Sequence, residues 1–166
     1  MIEVREAITE DDFDSVRTLV HAFIDWARRV YPDAQDALDQ NFEAVEAELA
    51  ALPGAYGPPT GKLLVAYCDG ELAGTVAMRD LGQHICEMRR MFVYAKFRGR
   101  GIGRALATTL ISEARALGFT HMRLDTGPRH IAAQGLHRSL GFQEIPPYHE
   151  IPEDLRTMFL FMELRL

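Results

Sequence analysis

Three glycines alternate with arginines in FRGRGIGRAL, Phe97 to Leu106. Gly99, Gly101 and Gly103 keep side chains out of one short loop, so backbone N–H groups can approach a ligand closely, while Arg98, Arg100 and Arg104 surround it with positive charge. That combination suits an anion. Just upstream, Glu87 lies in CEMRRM between apolar residues and Arg89. It reads either as a general base, its pKa raised by desolvation, or as the ion-pair partner of Arg89. Downstream, HIAAQGLHRSLGF carries His137, which as a lone histidine reads as a half-buried helix residue without chemistry.

The elements that must position these groups follow from the hydrophobic spacing. IEVREAI is a strand candidate, and Thr9 opens a Thr-x-x-Asp helix start, a weaker relative of the capping box. Val16, Leu19, Val20, Phe23, Ala27 and Val30 then recur at helical spacing until Tyr31-Pro32-Asp33 ends the run. A second helix is predicted from about Asp36, with Leu38, Phe42, Val45, Leu49 and Leu52 on one face. PGAYGPPTG, Pro53 to Gly61, is a loop. KLLVAYCDG, ELAGTVAMRD and HICEMRRMFVY read as strands, with a hairpin turn at Asp69-Gly70. Strict alternation along the third puts Glu87 with Ile85, Arg89, Met91 and Val93 on one face. That strand feeds the glycine loop, which opens a helix with Ile102, Leu106, Leu110, Ala114 and Leu117 on its buried side, closed by Gly118 and followed by the strand HMRLD. The loop therefore sits at a strand-to-helix junction, where uncapped N–H groups and the positive end of the helix dipole favour phosphate oxygens.

Composition bounds the function classes. A chain of 166 residues, 48% hydrophobic and 25% charged, is long enough for one core, and residues 1–166 are expected to form a single domain. The net charge of −6 argues against nucleic acid as a partner. No apolar run approaches the roughly 18 residues of a membrane span. MIEVREAITE has charges where a secretory signal would be apolar, and Cys68 and Cys86 show no Cys-x-x-Cys spacing, so a cytoplasmic protein with free thiols and no metal is expected.

Three ligand classes use such a glycine junction. A Walker loop needs a lysine after its last glycine, and none is present. A dinucleotide loop would put Leu106 or Arg104 at its third glycine position, although Asp125 stands about where a ribose contact is expected. The third class fits better. Arg98-x-x-Gly101-x-Gly103, after ICEMRRMFV and opening an amphipathic helix, resembles the acyl-coenzyme A pyrophosphate loop of the GNAT superfamily of N-acetyltransferases. HIAAQGLHRSLGF is similar to that family's Asn-x-x-Ala-x-x-Leu-Tyr-x-x-x-Gly-Phe segment through Ala133, Leu136, Gly141 and Phe142, and the order of elements corresponds over nearly the whole chain.

The resemblance implies an α/β fold with a central mixed, mostly antiparallel sheet and helices on both faces. It implies acetyl-CoA as co-substrate, with Arg98 to Arg104, including Ile102, at the pyrophosphate, and the main chain of Met91, Phe92 and Val93 at the pantetheine arm and reacting carbonyl. His130 and Ala133 fall on the coenzyme-contacting segment, His130 in place of asparagine. Glu87 falls where many members carry the glutamate near the acceptor. His137 replaces the tyrosine held to protonate the leaving thiolate. The acceptor is expected to be the amine of a small molecule or peptide, in a pocket to which Trp26, Tyr31, Tyr148, His149 and Glu150 are candidates. Direct transfer is the preferred reading, a non-catalytic acyl-CoA-binding or sensor domain the alternative, and a dinucleotide domain a remote one. Exposed strand edges also admit a homodimer.

Overall fold

A computed structural model describes residues 1–166. Strand β1 (Ile2–Glu6) leads into helix α1 (Glu10–Val30), whose start is a true capping box: the Thr9 hydroxyl accepts from the Asp12 N–H, and the Asp12 carboxylate accepts from the Thr9 N–H. Asp12 also receives Arg5, and this hydrogen bond holds its carboxyl far below the usual carboxylate range despite burial. Helix α2 (Gln35–Ala50) follows, burying the expected Leu38, Phe42, Val45 and Leu49.

The sheet continues with β2 (Lys62–Cys68), β3 (Glu71–Gly82) and β4 (Ile85–Val93). Asp69 and Gly70, both at positive φ, turn the β2–β3 hairpin as primed two-residue loops require. After the glycine loop come α3 (Ile102–Ala116), β5 (His121–Thr126), α4 (Ile131–Ser139), β6 (Gln143–Ile145) and β7 (Leu160–Arg165). The strand order is β1-β2-β3-β4-β5-β7-β6, and only β4 and β5 run parallel. This is the mixed, mostly antiparallel sheet expected. It corrects the dinucleotide alternative, whose fold is a parallel, doubly wound sheet.

Each face of the sheet carries its own apolar layer. Leu106 and Leu110 of α3 pack with Val76, Met78, Met122 and Met162 on one side. Val16 and Val20 of α1 and Phe42 and Val45 of α2 cover Leu63, Val65 and Ala77 on the other. No helix is long and apolar enough to cross a membrane.

Two irregularities of β4 shape the site. Thr75 pairs Phe92 and Ala77 pairs Arg89, so Arg90 and Met91 together oppose Val76 alone, a β-bulge with Arg90 at φ 55°. The bulge breaks the strict alternation. Glu87 and Arg89 face the α1/α2 side, where Arg89 meets Tyr56, but Met91 and Val93 pack on the α3 side and Phe92 turns to Phe23 of α1. The expectation that Glu87, Met91 and Val93 share a face is therefore corrected. Secondly, β4 pairs β5 only from Ile85 to Glu87. Beyond Glu87 the two strands part.

Candidate active site

At the C-terminal end of β4 the chain makes a short 3-10 turn over Ala95–Phe97 and enters the glycine loop. Gly101 is the N-cap of α3 at φ 86° and offers no side-chain cap, which leaves the first N–H groups of the helix without an intrahelical partner. The glycines are needed for different reasons. Gly99, at φ 77°, has open space around it, so its requirement is conformational, as is that of Gly101. A Cβ on Gly103 would come within 3.2 Å of Leu136 Cδ2, so there the requirement is close packing of α3 on α4.

Arg98, Arg100 and Arg104 are all exposed. Arg98 lies over the Trp26 ring at 5.5 Å, Arg100 meets Asp69 at 2.9 Å, and Arg104 donates to the Ser139 hydroxyl at 2.7 Å. Such surface contacts are weak enough for a phosphate to replace. An uncapped helix start ringed by three exposed guanidinium groups fits a pyrophosphate, while Ile102, fully buried, anchors the loop to the core.

Between the parted strands lies a cavity of about 370 Å³, bounded by Met88 to Met91 of β4, Leu124 to Gly127 at the end of β5, α1, α2, α4 and the segment from Leu155 to Phe159 before β7. Its β4 wall has main-chain groups that no β5 partner occupies, and Met91 belongs to this wall. Phe92 and Val93 continue the same unpaired edge toward the glycine loop.

Glu87 is buried at 1% exposure and is occupied by three donors. One carboxylate oxygen accepts from Arg79 Nε at 2.8 Å and Arg89 Nη1 at 3.0 Å, and the other from the Tyr148 hydroxyl at 2.6 Å. Burial alone would raise its pKa, but the Tyr148 hydrogen bond and the two arginines outweigh it and hold the carboxyl below its ordinary value. Of the two readings open for Glu87, this geometry is that of an ion pair. A carboxylate with three donors and a lowered pKa is a poor proton acceptor. Tyr148 is correspondingly pushed up, by burial first and Glu87 second.

His137 lies on the cavity wall at 4% exposure, edge-on to Phe142 at 5.5 Å. Its Nδ1 is buried with no hydrogen-bond partner. Burial pushes its pKa down to about 4, an environment that favours a neutral ring at neutral pH over the imidazolium donor that the resemblance implies. His130 is pushed down to about 4 by the same cause and packs among Trp26, Tyr31 and Phe23 at 4.8, 5.6 and 6.0 Å. His130 and Ala133 line the cavity between β4 and β5.

Among the acceptor candidates, Tyr31 lines the cavity and its hydroxyl accepts from the Arg129 N–H at 3.0 Å. Trp26 is spent on His130 and Arg98. His149 Nε2 stands 3.5 Å from Asp125 Oδ2, and Glu150 is exposed with only its carbonyl facing the His149 ring. Arg90 and Asp125 as cavity-lining groups were not singled out as acceptor-site residues from sequence. The bulge that turns Arg90 inward leaves no mark in the residue pattern, and Asp125 stood out only as a ribose contact.

The sequence model of the acetyltransferase (GNAT) family matches residues 20–142 of this chain. An uncharacterised N-acetyltransferase of Schizosaccharomyces pombe is 33% identical over 143 residues, 85% of this chain and 82% of that protein. An acetyltransferase from Streptococcus agalactiae superposes with a TM-score of 0.76 at 18% identity, covering 99% of this chain and 98% of the other. The PaiA N-acetyltransferase from Thermoplasma acidophilum, solved with coenzyme A, superposes with a TM-score of 0.74 at 14% identity over 100% and 99% of the two chains. With 123 of 166 residues inside the family match, a relative at one-third identity and the same sheet, this chain belongs to the GNAT family of acetyltransferases and is an acyltransferase of the N-acetyltransferase kind.

Proposed function

We propose that the protein transfers an acetyl group from acetyl-CoA directly to the amine of a small molecule bound in the cavity between β4 and β5. The observation that carries this reading is the continuity of the parted β4 edge with the uncapped start of α3. One end of that edge presents N–H groups and arginines to phosphates, and the other opens on a cavity. The relative crystallised with coenzyme A has the same fold and supports the choice of co-substrate.

In this reading Gly99, Gly101, Ile102, Gly103 and the three arginines hold the pyrophosphate, and free main-chain groups of Met91, Phe92 and Val93 pair with the pantetheine arm. When bound, acetyl-CoA supplies an acetyl group already activated as a thioester. The chain aligns it with the amine and stabilises charge on the carbonyl oxygen through β4 N–H groups. The N–C bond forms as the C–S bond breaks. The sulfur leaves with the bonding pair, and the amine, neutral when it attacks, releases one proton afterwards. A thiol of pKa near 8.5 leaves without an acid, so a neutral His137 is compatible with turnover. The amine, with a pKa near 10.4 if it resembles lysine, must first shed a proton. Asp125, on the β5 wall and free of any guanidinium hydrogen bond, is better placed for this than Glu87.

The test is thiol release from acetyl-CoA in the presence of an amine panel, followed by mass measurement of the product. An increase of one acetyl group on the amine, without labelling of the protein, supports direct transfer. Acetyl-CoA turnover that labels the protein first would contradict it.

A further inference from the structure

The cavity wall carries more positive charge than acetyl transfer requires. Arg89 and Arg90 on this wall, together with Arg79 outside it, share only Glu87 and Glu48 as ion-pair partners. Arg89 donates through Nε to Tyr56 and through Nη1 to Glu87, and its Nη2 has no partner. Arg90 donates through Nε and Nη2 to Glu48, and its Nη1 has no partner. Both arginines line the cavity, side by side, because the bulge places Arg90 at φ 55° instead of letting it alternate to the other face. Burial, and then the adjacent Arg89, make the positive charge of Arg90 costly, although Glu48 offsets part of this. A non-glycine residue in the left-handed region is uncommon and marks a backbone held for a purpose. Asp125 stands on the β5 wall within Coulombic reach of both guanidinium groups but hydrogen-bonded to neither. A molecule that bears a carboxylate close to an ammonium matches a cavity lined by two arginines with unpaired guanidinium nitrogens and by one carboxylate within Coulombic reach of both.

We infer that the acceptor is an amine carrying a neighbouring carboxylate, of the α-amino acid type, with its carboxylate on Arg89 and Arg90 and its amine on Asp125. This rests on the acetyltransfer reading above and names the acceptor class for the same cavity. Arg89 and Arg90 bind and select; the bond changes are those already given, with the amine's proton passing toward Asp125.

The experiment compares kcat/KM, with acetyl-CoA, for L- and D-α-amino acids, their carboxamides and the corresponding decarboxylated amines. The free acids are expected to exceed their amides by about a hundredfold or more, since a site built to pair a charged group strongly rejects the analogue lacking it. Arg90→Gly removes the guanidinium while suiting the backbone at φ 55°, and because it also leaves Glu48 without its ion-pair partner, denaturant unfolding of the variant is measured alongside. It should raise KM for the acids roughly tenfold or more while leaving the amides nearly unchanged, whereas a merely structural role would lower both alike. Arg90→Lys should recover only part of the preference. Amides or decarboxylated amines used as well as the acids would overturn the inference, as would acetyl-CoA binding without acetylation of any carboxylate-bearing amine. Faster use of succinyl-CoA than acetyl-CoA with uncharged amines would place the carboxylate on the acyl group and overturn it as well. Failure to bind acetyl-CoA would bring down the acetyltransfer reading, and this inference with it; the other negative outcomes leave that reading standing.

Discussion

Glu87 and His137 show how environment, rather than residue type, decides chemistry. Glu87 was legible as a carboxylate beside Arg89 among apolar neighbours, but the three donors that occupy it come from β3, β4 and the segment after β6, which no local pattern brings together. Removing its charge should leave two partly exposed guanidinium groups without the buried carboxylate they share. Glu87→Gln is therefore expected to cost about 3 kcal/mol in denaturant unfolding at pH 7. Because its folded pKa lies below the unfolded value of about 4.3, this contribution is present above that pH and lost as pH falls through the folded pKa. The difference between wild type and variant should therefore shrink in acid. The histidines act with the same sign. His130 and His137, pushed down to about 4 from about 6.5 when unfolded, contribute stability that is complete above about pH 6.5 and lost as pH falls toward 4. His137→Phe should flatten the stability slope between those pH values and, since the ring is neutral throughout the working range, leave kcat/KM within about tenfold. A loss of several orders of magnitude would restore a proton-donor role.

At the scale of elements, the glycine loop separates conformational from packing requirements. Gly99→Ala is expected to cost about 1 kcal/mol through its positive φ with no steric clash. Gly103→Val should force α3 from Leu136 of α4, weakening acetyl-CoA binding and stability together, as denaturant and calorimetric titrations would show. The Thr9 capping box, both amphipathic helices and the Asp69-Gly70 turn were readable because each is written in neighbouring residues. The bulge at Arg90 was not, because it follows from the register between β3 and β4. One extra residue there reverses the faces of Met91, Phe92 and Val93 and places Arg90 beside Arg89 on the cavity wall. The misreading of Glu87 with Met91 and Val93 on one face has that single cause.

Across the whole molecule, the parting of β4 from β5 is what joins the uncapped, arginine-ringed start of α3 to the cavity, the two places that the proposed function assigns to phosphate and acceptor. The glycine–arginine loop was legible as an uncapped helix start at a strand-to-helix junction, since its parts lie within eight residues of sequence. The cavity was not, because its walls come from β4, β5, three helices and the segment before β7. The measurement that tests this account most directly is calorimetric titration of the protein with acetyl-CoA, with NAD titrated in parallel at the same salt. The account predicts acetyl-CoA binding at micromolar concentration, about −8 kcal/mol, and no heat with NAD. NAD binding in the absence of acetyl-CoA binding would contradict it.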